Sequence, residues 1–170
     1  MINKPSLISS AGMNFIVMDA PSEDNALEYA GELKSKGVLH LVRTCEGRYS
    51  DRVFEDQGIQ VHEFYFSDGS APPKHIIQEW LNLVKSTFFQ HGKLKKQEGT
   101  QPCIAVHCLA GLGRAPVLVA IALIEAGLDP QHVTKLIRRN RNGALNVYQI
   151  KFLNEYKKIG MFQKSCCILL

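Results

Sequence analysis

The sequence predicts an α/β domain in which a central, mainly parallel sheet is flanked by helices on both faces. The first observation is that short apolar runs, typical of buried strands, alternate with longer segments of helical periodicity. The second is that a glycine-bearing loop joins one of these runs to an apolar helix, and α/β sheets place ligand sites at such strand ends. The third is the composition, since 170 residues that are 45% hydrophobic suffice for one domain with its own core.

The strands are predicted from apolar runs that are too short for helices. The first run is Phe15-Ile16-Val17-Met18, and it ends shortly before a turn at Pro21-Ser22. Further strands are expected at 38–42, 59–66 and 103–106. The run at 103–106 is apolar throughout, which is typical of a strand that is buried on both faces.

The helices are predicted from capping residues and from apolar positions that share one face. Ser22 or Asp24 can cap a helix that Gly37 ends, and Pro73 opens a longer one. A short helix is expected near 55–56. In chain order, the longer helices are expected at 25–36, 73–89, 115–126, 130–140 and 146–158.

One stretch breaks the alternation of strands and helices. Residues 90–101 are polar, basic and glycine-bearing, and are interpreted as a solvated loop. The chain shows no internal repeat, so residues 1–160 are expected to form a single domain. Residues 161–170 are expected to form a flexible C-terminal tail.

Composition and cysteine usage narrow the class of protein. The net charge of +4 permits attraction to anionic substrates or membrane surfaces and does not call for nucleic acid. The sequence contains neither an apolar run of transmembrane length nor the pattern of a secretory signal, so neither is expected. The five cysteines lack metal-ligand spacing, which argues against a metal site, and their odd number fits a reducing cytosol better than a secreted domain.

The most informative segment runs from His107 to Arg114 and reads HC-x-x-G-x-x-G-R. Between a strand and a helix, such a loop forms a nest of backbone N–H groups that suits a tetrahedral anion. The positive field of the nest favours the nucleophilic thiolate form of Cys108. The planar fork of Arg114 can bind two phosphate oxygens, so the segment indicates attack on a phosphate ester by sulfur.

Two other interpretations of this segment stay open. Cys108 can be a buried structural cysteine ahead of a helix, which leaves the two glycines and Arg114 unexplained. The loop can also be an anion site without catalysis. Arg138, Arg139 and Arg141 add either a basic rim to such a site or a solvated helix face.

The spacing of Cys108 and Arg114 is the hallmark of the cysteine-dependent protein tyrosine phosphatases, and the segment resembles theirs at every fixed position. The longer stretch 107–125 resembles the phosphatases of regenerating liver, which carry an alanine directly after the loop arginine, here Ala115. The resemblance extends to segments 42–46, 66–73 and 80–85 and to the Cys-Cys-aliphatic tail. It implies the protein tyrosine phosphatase fold and hydrolysis of phosphotyrosine, with phosphoserine and phosphothreonine as further substrates, without metal or cofactor.

The resemblance also implies roles for individual residues. Cys108 corresponds to the nucleophile, Asp68 to the general acid and His107 to a residue that orients the loop. Ala115 stands where most relatives carry a hydroxyl that stabilises the departing sulfur, so a slow second step is expected. The residues implied in phosphate binding are Leu109, Ala110, Gly111, Leu112, Gly113 and Arg114. An Asp-Gly turn without chemistry is the alternative for Asp68.

Two cysteine-based properties follow from the resemblance as well. A reversible disulfide between Cys45 and Cys108 would form under oxidation, although Cys45 can also be a small buried residue. Cys167 begins a C-a-a-X sequence whose last residue favours geranylgeranylation. Such a tail would place the protein on the cytosolic face of the plasma membrane or endosomes.

The partners implied are phosphoprotein substrates, a membrane surface and further copies of the chain. The alternative function is a slow phosphatase that acts mainly as a binding module, whose phosphate-loop pocket holds an acidic loop of a membrane magnesium transporter. The leucines Leu109 and Leu112 argue against highly phosphorylated inositols as substrates, since lysines favour those.

Overall fold

The computed structural model describes residues 4–95, 99 and 101–162. In chain order the elements are β1 (Ser6–Ser10), β2 (Met13–Met18), α1 (Ala26–Ser35), β3 (Val38–Arg43), α2 (Arg52–Glu55), β4 (Gln60–Glu63), α3 (Lys74–Phe88), β5 (Phe89–Gln90), β6 (Lys93–Leu94), β7 (Cys103–His107), α4 (Arg114–Glu125), α5 (Pro130–Asn140) and α6 (Val147–Glu155). The α/β class predicted from the sequence is confirmed.

The main sheet has five strands in the order β1-β2-β7-β3-β4. Strands β2, β7, β3 and β4 are parallel, and only β1 pairs antiparallel. Strand β7 is central and buried along its whole length, which agrees with its continuous apolar sequence. Its carboxyl end therefore lies in the middle of the sheet edge, between the ends of β2 and β3.

Side chains alternate between two cores on opposite faces of the sheet. On β2, Phe15 and Val17 pack into one core, whereas Ile16 and Met18 pack into the other. The first core is covered by α3, α4, α5 and α6, and the second by α1 and α2. The predicted cover of helices on both faces is confirmed.

Two hairpins were not expected from the sequence. Strand β1 is joined to β2 by Ala11 and Gly12, both with positive φ, and its serines hide the strand pattern because only Ile8 is fully buried. The interpretation of 90–101 as a loop is wrong at its start, where β5 and β6 pair. His91 and Gly92 have φ values of 50° and 70°, which suits the tight turn of a two-residue hairpin.

The last helix ends earlier than the sequence predicts, because Glu125 binds the segment that follows it. Helix α6 ends at Glu155, three residues before 158. The buried carboxylate of Glu125 accepts hydrogen bonds from the Tyr156 hydroxyl (2.8 Å) and from the backbone N–H groups of 159–161 (2.6 to 3.3 Å). These bonds hold the chain in a non-helical path.

The packed chain reaches Phe162, which is buried, two residues beyond the expected end of the domain at 160. The tail from 163 to 170, with Cys167 and its C-a-a-X sequence, lies outside the described residues. Within the described ranges, no helix is both long enough and apolar enough to span a bilayer.

Candidate active site

The loop that carries Cys108 lies between the central strand and the most buried helix. Strand β7 ends at His107, and α4 begins at Arg114. Every residue of α4 is buried, so the helix has a fixed position against the sheet. Cys108 itself is 2% exposed and lies at the base of the loop.

Four consecutive carbonyl groups of this loop accept hydrogen bonds from donors outside it. The pairs are Ala20 N–H to Leu109 O (3.1 Å), Arg141 Nη2 to Ala110 O (3.0 Å), Arg141 Nε to Gly111 O (2.8 Å) and Leu145 N–H to Leu112 O (2.7 Å). In a trans peptide the N–H points opposite to the preceding C=O. The N–H groups of 110–113 therefore point into the loop, where they can bind an anion.

Gly111 is required at the point where this loop passes closest to the sheet. Its φ is +67°, and a Cβ there would collide with the carbonyl of Met18 and would lie 2.6 Å from Arg141 Nη2. The close approach explains why no side chain fits.

Arg114 is held by two backbone carbonyl groups from other parts of the chain. Its Nη1 donates to the carbonyls of Thr44 (3.0 Å) and Phe66 (3.3 Å). Its Nε lies 3.1 Å from Asp68 Oδ1, but the N–H does not point at that oxygen, so the ion pair is not a hydrogen bond. Within the described residues this buried Nε has no hydrogen-bond partner, and it lies beside the pocket that Cys108 lines.

Asp68 lines the same pocket as Cys108 and Arg114. The pocket has a volume of about 280 Å³, and its lining includes Cys108, Asp68 and Arg114. The Asp68 side chain is 74% exposed, in contrast to Cys108. The structure thus brings together the three side chains that the sequence analysis selected as the candidate nucleophile, acid and phosphate clamp.

Gln149 also lines the pocket, and the sequence analysis did not select it. It is 1% exposed, and its Oε1 accepts from the backbone N–H of Asn146 at 3.0 Å. Its Nε2 has no hydrogen-bond partner among the described residues. The Asn146–Gln149 spacing is the signal of a capping box, which could have located the start of α6 but not the pocket.

Arg141 is buried, so it belongs neither to a basic rim nor to a solvated helix face. It is 4% exposed and binds loop carbonyls with two nitrogens, while its Nη1 donates to Lys4 O at 3.0 Å. Arg138 likewise donates to the carbonyls of Ala144 and Leu145. Arg138 and Arg139 are both exposed, and Arg141 alone of the three is buried.

His107 is fully buried beneath the loop. Its Nε2 lies 2.7 Å from the Tyr49 hydroxyl, and its Nδ1 lies 4.0 Å from Cys45 Sγ. Burial lowers the pKa of His107 to about 4, so the imidazole is neutral near pH 7. A neutral, hydrogen-bonded ring can orient the loop, as the resemblance implies.

Cys45 and Ala115 occupy the surroundings of Cys108. Cys45 is half-buried, and burial raises the pKa of its thiol while the nearby Arg114 opposes that rise. Cys45 and Cys108 are both free thiols in this structure. Ala115 is fully buried at the start of α4.

Together these groups can perform a substitution on a tetrahedral anion. Inward N–H groups and Arg114 can hold three oxygens of the anion, and Cys108 lies at the base of the cradle as a nucleophile. Asp68 lies at the rim, where a leaving group would pass.

The chain is similar in sequence and in fold to known protein tyrosine phosphatases. No model of a protein family matches the chain. The chain is 41% identical over 165 residues to the probable protein tyrosine phosphatase type IVA A of Dictyostelium discoideum, covering 97% of this chain and 93% of that protein. It is 44% identical over 153 residues to the PRL-1 phosphatase of Drosophila melanogaster, covering 90% and 82%.

A solved structure of similar fold comes from Leishmania major and is named provisionally as a protein tyrosine phosphatase. It matches with a TM-score of 0.76 and 33% identity, covering 92% of this chain and all of that chain. A kinase associated phosphatase matches with a TM-score of 0.68 at 19% identity, which supports the fold alone.

Proposed function

Because the chain belongs to the protein tyrosine phosphatase type IVA family, we propose that it hydrolyses phosphotyrosine in phosphoproteins through a phosphocysteine intermediate. The same route would serve phosphoserine and phosphothreonine. One observation carries the proposal. The carbonyls of the loop are bound by donors outside it, so its N–H groups face the pocket that Cys108 lines.

In the first step the Cys108 thiolate attacks phosphorus, and the bond between phosphorus and the tyrosine oxygen breaks. The N–H groups of 110–113 and Arg114 bind the three other phosphate oxygens. The leaving oxygen takes its proton from the Asp68 carboxyl group. A bound phosphate competes with Asp68 for Arg114 Nε, which frees the carboxyl group to approach the leaving oxygen.

In the second step water attacks the phosphocysteine, the sulfur leaves as a thiolate, and Asp68 takes the proton of the water. Gln149 lines the pocket, and its Nε2, which has no hydrogen-bond partner among the described residues, would orient that water. Ala115 offers no hydroxyl to the departing sulfur, so this step is the slow one.

A redox switch is a further part of the proposal. Oxidation of the Cys108 thiolate by a peroxide gives a sulfenic acid, and attack by the Cys45 thiol then forms the disulfide and releases water. The placement of Cys45 beside His107 and Arg114 supports this pairing. Two thiols from a reductant would restore the enzyme.

Membrane association is proposed from the tail sequence. Geranylgeranylation of Cys167 would hold the protein reversibly on the cytosolic face of the plasma membrane or endosomes. Extraction of the cellular protein, followed by mass determination of its C-terminal peptide, tests the modification.

Binding without turnover is the second candidate function, and the alanine at 115 favours it. A slow second step leaves the pocket available to an acidic loop of a partner, which the family resemblance implies to be a membrane magnesium transporter. Such binding requires the N–H cradle but not Asp68, whereas turnover requires both.

The proposal is tested by hydrolysis of a fluorogenic aryl phosphate under strong reductant. We expect a burst followed by slow turnover in the wild type, no turnover in Cys108→Ser and reduced turnover in Asp68→Ala. A fully reduced wild type with no activity above Cys108→Ser would contradict the enzymatic function. Retention of partner binding by Asp68→Ala would then support the binding module.

A further inference from the structure

A second pocket adjoins the first across Leu109 and Arg114, which line both. Its volume is about 270 Å³. The residues that line only this second pocket are Cys45, Glu46, Arg48 and Tyr65. A substrate that fills the first pocket therefore has an adjacent polar cavity within reach of its neighbouring residue.

The second pocket contains a cation, Arg48, whose charge no ion pair neutralises among the described residues. Within the described ranges no carboxylate lies at ion-pair distance from Arg48. In contrast, Arg43 at the end of β3 pairs with both Asp51 and Glu63. Burial raises the pKa of the Cys45 thiol, and the positive charges of Arg114, Arg48 and Arg43 oppose that rise. Arg48 lines the cavity together with Cys45, so its charge lies at the cavity wall.

The rim between the two pockets suits a peptide. Leu109 is 50% exposed at the shared edge, and Tyr65 is 57% exposed on the far wall. These apolar surfaces can carry the peptide backbone from one pocket to the other. When the phosphate occupies the first pocket, it takes up the charge of Arg114, and Arg48 remains for the neighbouring side chain.

We propose that the second pocket binds an acidic side chain directly adjacent to the phosphotyrosine, with Arg48 as the cation that recognises it. This specificity rests on the phosphatase function proposed above. Glu46 lines the same pocket and repels the acidic side chain, so the two residues act in opposite directions. A general effect of charge would give the same two signs, so a cation outside both pockets is needed to identify a binding site.

The test measures the affinity of phosphotyrosyl peptides for Cys108→Ser protein by fluorescence polarisation, so that turnover does not interfere. The peptides carry Asp or Asn beside the phosphotyrosine, on each side in turn. We expect the parent to prefer an Asp peptide about two- to fivefold, as for an exposed ion pair. Arg48→Gln should abolish the preference, and Glu46→Gln should increase it.

Arg52→Gln is the matched control, because Arg52 is exposed nearby and lines neither pocket. It should keep the parent's preference. Equal affinity for Asp and Asn peptides, or the same loss in Arg52→Gln as in Arg48→Gln, would overturn the subsite. Failure of the phosphatase function would show separately, as a reduced wild type that hydrolyses none of these peptides.

Discussion

The two walls of the candidate site are held very differently. The loop that carries Cys108 is buried, and its carbonyls at 109–112 are all bound by donors from other parts of the chain. The segment that carries Asp68 is exposed, and it is held mainly by a bond from Ser70 Oγ to Ser67 O (2.7 Å) and one from Asn146 Nδ2 to Gly69 O (3.3 Å).

This difference matches the roles that the proposed mechanism gives to the two walls. Donors that stabilise a charged phosphorus centre are effective when they are oriented before the charge develops, so a rigid cradle is favoured. A proton donor must follow leaving groups of different shape, so a lightly held segment is favoured. The contrast leads to four predictions, which are ordered by the expected size of their effects.

Removal of the side chain that supports the phosphate-binding loop 108–114 should have the largest effect on activity and stability. Arg141→Ala removes the donor to two loop carbonyls and leaves them buried and unpaired, which costs about 3 kcal/mol of unfolding free energy. We expect kcat/KM to fall about 10³-fold, since the N–H groups lose their orientation. Urea denaturation and hydrolysis of an aryl phosphate measure the two effects.

Arg139→Ala is the control for this experiment, because Arg139 is exposed near the end of α5, two residues before Arg141. It should change neither quantity. A folded Arg141→Ala protein with wild-type kcat/KM would contradict the view that the outward carbonyls determine the cradle.

Loss of the proton donor should have the next largest effect and should leave the fold intact. Asp68→Asn should lower kcat/KM, which reports the first chemical step, about 10²-fold for a phosphotyrosyl peptide. The loss should be smaller for an aryl phosphate whose leaving group needs no proton. Unfolding free energy should stay near that of the wild type, because the side chain is mostly exposed.

Asp56→Asn, an equally charged and exposed position outside the pocket, serves as the comparison. Equal losses for the two leaving groups, or equal losses in the two variants, would remove Asp68 from the role of acid.

A hydroxyl at the helix start should raise activity modestly. Ala115→Ser supplies a donor to the departing sulfur, worth up to about tenfold in kcat for a hydrogen bond to a charged group. The amplitude of the burst should fall as the second step becomes faster. Ala122→Ser, buried on the same helix, is expected to change stability without changing kcat. If both variants had wild-type kcat, the slow second step would need another cause.

The smallest effect concerns pH and the buried imidazole under the cradle. The pKa of His107 is about 4 in the folded protein and near 6.5 when the chain is unfolded. Between these values the unfolded chain binds more protons, so stability is complete above pH 6.5 and decreases as pH falls toward 4. The slope is at most about 1.4 kcal/mol per pH unit for this one group.

Urea denaturation across this range, in the wild type and in His107→Gln, measures that slope. We expect a shallower slope in the variant, while His75→Asn, at an exposed position, keeps the wild-type slope. Equal slopes in all three proteins would mean that His107 is not held neutral.

The loop that carries Cys108 could be predicted from the sequence, whereas the residues that support it could not. Cys108, Gly111 and Arg114 lie within seven consecutive residues, and the strand and helix beside them have clear apolar patterns. Arg141 lies 30 residues from the carbonyl of Gly111 that it binds, and Gln149 is further still. Helical periodicity describes which face is buried, but not which loop a buried polar side chain meets.

The hairpin of β1 and β2 was missed for a similar reason. Its outer strand has serines at three of five positions, so alternation gives no apolar face, and pairing with β2 determines the strand instead. The roles of Asp68, Cys45 and Cys167 remain predictions from the family resemblance.

The phosphocysteine intermediate is the central claim, and acid quenching within the burst tests it most directly. Mass spectrometry of the digested wild type should find one phosphate on the peptide that contains Cys108 and none on that peptide from Cys108→Ser. A burst without phosphate on this peptide, or phosphate on another residue, would contradict the account.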